Sequence, residues 1–263
     1  DYRGKMVLLV DNTFTTSLSS RISQLIQDLR GDGWVVIRHD VSRSASVSSI
    51  RSLVISDYNA DPSNVKAVYI LGHVPVAYSG QLNPDGHGDH LGAWPCDGYY
   101  GELNGNWTDN SVNATGAQDT RNRNTPGDGK FDQSDFPSSV ELQVGRVDMY
   151  NMESFQYYQG LSEQTLMANY LDRAHGFKNK QWTPTFRGAV FDNFDDMSYT
   201  FASDGYRNIS ALVGTQNMSD LNGNGAAFKT YINNQSYLWT YACGGGSWIS
   251  ADNVGSTDDY ANT

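Results

Sequence analysis

Val65-Lys66-Ala67-Val68-Tyr69-Ile70-Leu71 is a continuous apolar, β-branched run that stops at Gly72-His73. Its length and its glycine boundary predict a strand buried on both faces. Working backwards, Leu18, Ile22, Leu25, Ile26 and Leu29 recur at helical spacing before Gly31, and Ile50, Leu53 and Val54 share one face of a second helix at 47–58. The runs Met6-Val-Leu-Leu-Val10 and Trp34-Val-Val-Ile37 supply two further strands. Strand, helix, strand, helix, strand is the doubly wound parallel α/β pattern. Its ligands bind outside the carboxyl ends of the strands.

Forward of this core the character changes. Residues 79–139 are rich in Gly, Asn, Asp and Pro and too long for a plain connection, so they are expected to form an insertion. Residues 140–148 predict a strand, and 151–178 predict one long helix capped by Asn151, with Phe155, Leu161, Leu166, Tyr170 and Leu171 as its apolar members. A second α/β portion begins at Arg187-Gly-Ala-Val-Phe-Asp192, with helices expected near 201–211 and 226–233. The division is therefore an N-terminal α/β subdomain over 1–150 and a C-terminal one over 151–263. The chain stops at Thr263 without a closing element, which suggests truncation or cleavage and a further fragment of the same precursor as partner.

Composition bounds the partners. A formal charge of -11 argues against nucleic acid, whose phosphates require Lys and Arg. No apolar window is long enough for a membrane span. The first residues, Asp1-Tyr-Arg-Gly, are not a leader, so an exported protein would have lost its signal peptide already. Cys96 and Cys243 are too few for a disulfide framework, though they are able to pair with each other. The aromatic, Asn- and Ser-rich composition favours a secreted or cell-surface protein.

Residues 237–248 read Tyr-Leu-Trp-Thr-Tyr-Ala-Cys-Gly-Gly-Gly-Ser-Trp. The first seven predict a buried strand. Cys243 at its end, followed by Gly244, places a nucleophile-capable thiol where an α/β sheet binds ligands. Against this stands the ordinary reading of cysteine as a small buried residue. Asp192 and Asp195, with Trp248, would line the same rim and hold substrate; solvated turn residues are the plain alternative. His87-Gly-Asp89-His90 is dense enough for a transition metal, although surface turns explain most such clusters. His39 and His175 read as structural or exposed.

Asn124-Thr-Pro-Gly-Asp128-Gly-Lys130-Phe-Asp132-Gln-Ser-Asp135 matches several positions of the twelve-residue calcium loop. Asn124, Asp128, Asp132 and Asp135 fall at positions 1, 5, 9 and 12, Gly129 at position 6, and Lys130 at the position that ligates through its carbonyl. Pro126 replaces the donor of position 3, and Asp135 the usual glutamate. Calcium is thus the expected cofactor.

The segment Cys96-Asp97-Gly-Tyr99-Tyr100-Gly101-Glu102-Leu103-Asn104-Gly105, followed by Val144-Gly145-Arg146-Val147 and a long helix, resembles the gingipain family of caspase-like cysteine peptidases. Leu71-Gly72 with Val74-Pro75, and Ala242-Cys243 followed by glycine, extend the likeness across roughly 65–250. The resemblance implies a two-subdomain fold, export, structural calcium and endopeptidase activity on a peptide or protein substrate through a Cys-His dyad. In that pattern a His-Gly lies one strand and one helix before the cysteine. Here the window 209–220 holds no histidine, and His90 or His73 is the substitute base to consider. Two functions follow: a calcium-stabilised cysteine endopeptidase acting through Cys243, or a peptidase-like binding or structural protein that has lost its dyad.

Overall fold

The computed structural model describes residues 1–81, 91–155, 158–194, 202–221, 225–246, 250–251, 254–256 and 259. These residues form two compact units, the first of Asp1–Tyr150 with Glu163–His175, the second of Asn151–Ser162 with Gly176–Thr263. The mostly parallel α/β class expected from the strand–helix alternation is the class observed.

Unit 1 is built on β1 (Gly4–Asp11), α1 (Ser19–Gly31), β2 (Trp34–Val41), α2 (Val47–Ala60) and β3 (Val65–Leu71). A two-residue antiparallel pair, β4 (Tyr78–Ser79) and β5 (Trp94–Pro95), opens the insertion, and β6 (Gln143–Val147) follows it. The sheet order is β2-β1-β3-β6, all parallel. Alternation along β1 sends Leu8 and Val10 to one face and Val7 and Leu9 to the other. The first face is covered by Ile22, Leu25 and Leu29 of α1 and by Met167 and Leu171 of α3 (Glu163–Lys178). The second is covered by Ile50 and Val54 of α2 and by Tyr99, Tyr100 and Leu103 of the insertion.

The insertion is organised by two carboxylates. Glu102 is fully buried and accepts hydrogen bonds from the amides of Asn104 and Gly105, the Trp107 indole and the Ser138 hydroxyl, with Arg51 3.4 Å away. Asp132 accepts from the amides of Asn110, Ser111 and Val112 and from the Thr108 hydroxyl. The rings of Tyr99, Trp107 and Phe131 pack between them at centroid distances of 4.5 to 5.4 Å. A polar, glycine-rich segment thus acquires fixed structure, because its backbone donors find buried acceptors.

The single helix expected over 151–178 is not formed. Asn151 has a left-handed backbone (φ 59°) and caps nothing with its side chain; a 3-10 turn covers Met152–Ser154, and the helix begins only at Glu163. Gly160, with φ at 85°, interrupts the apolar periodicity that suggested continuity.

Unit 2 contains β7 (Gly188–Asp192), α4 (Ser203–Val213), β8 (Met218–Asp220), α5 (Gly225–Asn234) and β9 (Trp239–Cys243), with strand order β8-β7-β9, all parallel. β7 is buried throughout. Val190 packs with Ile209 and Val213 of α4, and Ala189 and Phe191 with Phe228 of α5. β9 departs from the expected double burial: Trp239 is 59% exposed, and Thr240 and Ala242 are exposed as well. The reason is its place in the sheet, since among the described residues β9 pairs only with β7.

Candidate functional site

Cys243 ends β9 beside Asp192, its register partner at the end of β7, and the Asn193 amide donates to the Cys243 carbonyl at 2.8 Å. Asp192 is fully buried; one of its oxygens accepts from the Phe194 amide (3.0 Å) and the other from the Ala202 amide (3.1 Å). Tyr241 lies two residues before Cys243 and on the same strand face, and its hydroxyl acts on the thiol as a neighbouring polar group. That tyrosine can lie flat on α4 only because Gly205 has no side chain; a Cβ there would stand 2.5 Å from its ring.

The electrostatics oppose a thiolate. Burial pushes the Cys243 thiol above its ordinary range, the negative Asp192 pushes it further, and the Tyr241 hydroxyl offsets only part of this. Unit 2 contains no histidine anywhere in its sequence. The window where the family pattern suggested a base runs from the end of α4 through β8. Because β8 and β9 flank β7 on opposite sides, the end of β8 lies two strand spacings, about 10 Å, from β9. There Asp220 accepts from the Tyr206 hydroxyl. Among the described residues, the register neighbour of Cys243 on β7 carries a carboxylate.

Gly244 follows β9, while Trp248, Asp195, His87, Asp89 and His90 lie outside the described residues. Cys96 and Cys243 are both free thiols. In unit 1 each described histidine is paired with an aspartate: His39 with Asp57 (2.7 Å), His73 with Asp148 (2.9 Å) and His175 with Asp28 (2.9 Å).

The twelve-residue loop is closed by hydrogen bonds. Asp128 accepts from the amides of Thr125 and Lys130, and the Lys130 ammonium bonds Asp128 and the Arg123 carbonyl. Asp132 is saturated by the four donors named above, and Asp135 is exposed. The Asn124 amide nitrogen donates to the carbonyls of Gly80 and Phe131, leaving its buried Oδ1 without a partner. With its acids facing N–H donors and an ammonium rather than a common centre, this loop does not fit a calcium ion. No group of three or more His, Cys, Asp or Glu side chains among the described residues is arranged to hold a metal.

Sequence reading passed over Asp11, Arg43, Asp148, Tyr150 and Glu163, which meet at the carboxyl end of the first sheet. Their only linear signal is position directly after apolar strands or at a helix start.

No family model and no curated protein matches the chain. Among solved structures, it is similar to the Arg-specific cysteine proteinase gingipain R (RgpB), with a TM-score of 0.53 and 12% identity over 96% of this chain and 49% of that one. It is likewise similar to the complex of Porphyromonas gingivalis RgpB pro- and mature domains, with the same TM-score and identity and 51% of that chain covered. The fold is gingipain-like. The chain spans about half the length of either structure, and at this identity the likeness is one of fold.

Proposed function

We propose that this chain is a gingipain-like module in which Cys243 is not a nucleophile, and that it serves as a binding or structural protein outside the cell. The observation that carries this reading is the Cys243–Asp192 pairing: burial and a neighbouring carboxylate keep the thiol protonated, in a unit without histidine. A cysteine nucleophile needs the reverse, an imidazole or another positive charge at the sulfur. The similarity in fold does not decide the matter, because function resides in the site.

A second reading, cysteine endopeptidase, draws on one feature: Cys243 stands at the carboxyl end of a parallel strand, followed by glycines whose amides are suited to an oxyanion. Iodoacetamide labelling of the protein between pH 5 and 9 separates the two. The non-catalytic reading expects Cys243 to label only on the alkaline side of an ordinary thiol, near 8.5 or above, with no peptide hydrolysis. Rapid labelling near neutral pH together with cleavage of a peptide library would overturn it. Export is tested by fractionating cells that express the full-length protein.

A further inference from the structure

The order β2-β1-β3-β6 reverses between β1 and β3: the chain leaves β1 for β2 on one side and later returns to β3 on the other. In open α/β sheets that switch point, at the carboxyl ends of the strands, is where ligands are bound. In unit 1 it is bounded by Asp11 at the end of β1 and by Gly72-His73 at the end of β3. Gly72 has φ at +90°, and a Cβ on it would stand 2.6 Å from Asp11 and 2.8 Å from Phe14, so the strand leaves the sheet in a path that only glycine permits.

That path delivers His73 in a defined orientation. Its amide donates to Asp11 Oδ2 (3.0 Å), its Nδ1 meets Asp148 Oδ2 (2.9 Å), and its ring stacks on Tyr150 at 3.8 Å. With the proton on Nδ1, facing the Asp148 carboxylate, Nε2 is left as an acceptor. The imidazole is about a third exposed (31%), and no described residue bonds Nε2. Arg43 crosses the same rim between the Phe14 and Tyr150 rings, donating to Asp11 and Glu163. Arg146 pairs with Asp97 and lies 3.7 Å from Asp148.

The chemistry of the rim limits what it takes. Four carboxylates, those of Asp11, Asp97, Asp148 and Glu163, face two guanidiniums, an excess of two negative charges that repels anions. Asp11 is saturated by Thr13, Arg43 and the His73 amide, so it has no lone pair aimed at a metal. What is offered is one nitrogen acceptor in a negative field. We propose that this switch point is a ligand site for a primary ammonium group, which donates to His73 Nε2, with Asp148 positioning the imidazole.

The test is histidine ring NMR on the intact protein, titrated with methylammonium and separately with glycylglycine, whose amino terminus presents the same group on a peptide. Either amine is expected to shift the His73 ring signals saturably while those of His39 and His175, whose imidazoles face aspartates elsewhere, stay in place. A response to methylammonium identifies a small-amine site, and a response to glycylglycine alone identifies a chain-terminus site; each supports the proposal. Asp148→Asn is expected to weaken binding roughly tenfold, since it frees the imidazole, and unmoved His39 and His175 signals would show that the variant is folded. The proposal fails if neither amine gives a saturable shift, if phosphate or glycerol gives the same one, or if folded Asp148→Asn binds as tightly as the parent.

Discussion

Replacing Glu102 by glutamine tests most directly how the insertion is held together. The carboxylate is fully buried, and four donors from Asn104, Gly105, Trp107 and Ser138 converge on it beside Arg51. Glutamine keeps the shape but removes the charge and turns an NH2 toward groups that are themselves donors. A hydrogen bond to a charged group contributes about 1.5–3 kcal/mol, and a buried donor left unpaired costs about 1–3 kcal/mol. Local relaxation recovers part of this, so a loss of about 3 kcal/mol is expected for Glu102→Gln, read from urea unfolding followed by tryptophan fluorescence. The pH dependence supplies an independent check. Burial alone would raise the Glu102 pKa, but the bonds from Ser138, Gly105, Trp107 and Asn104 outweigh it and hold the carboxyl below its ordinary value. A depressed folded-state pKa gives stability that is present above the unfolded value, about 4.3, and is lost as pH falls through the folded one. The parent should therefore lose stability below about pH 4 more steeply than Glu102→Gln. A loss under about 1 kcal/mol, or parallel acid limbs, would refute the role assigned to this carboxylate.

Three further outcomes follow from the geometry. Asp192→Asn removes the negative neighbour of Cys243 and keeps an acceptor for one of the Phe194 and Ala202 amides but not both, so at some cost in stability the alkylation profile of Cys243 should move to lower pH; an unmoved profile in the folded variant would mean that burial alone sets it. Gly72→Ala should destabilise unit 1 by about 2 kcal/mol or more, through its positive φ and the contacts with Asp11 and Phe14, measured as a fall in denaturation midpoint. Chelation with EDTA should leave the melting temperature unchanged if the 124–135 loop is closed by its own hydrogen bonds; a drop of several degrees reversed by calcium would show that the loop rearranges around an ion.

The elements of unit 1 were legible because each has a short-range cause. Apolar runs mark β1, β2 and β3, and Ile22, Leu25 and Leu29 mark one helical face, as their burial against Leu8 and Val10 bears out. Residues 151–162 misled for an equally local reason: their apolar spacing imitates a helix, but Asn151 and Gly160 adopt left-handed backbone that ends one. The calcium-like spacing of 124–135 was legible too, yet spacing does not say which way a carboxylate points. Asp128 and Asp132 point at amides.

By itself the sequence determined the class of fold, the placement of most strands and helices, and the delivery of Cys243 to a strand end. Those features depend on periodicity and on neighbours a few residues apart. The sequence already put Asp192 on the rim of Cys243, but only the tertiary structure made it the direct neighbour, because that depends on β9 pairing with β7 rather than β8. The tertiary structure likewise assembled Asp11, Arg43, His73, Asp148 and Glu163, which are up to 152 positions apart in the chain, at the carboxyl end of one sheet. Strand order is set by long-range packing and register, which no local stretch encodes.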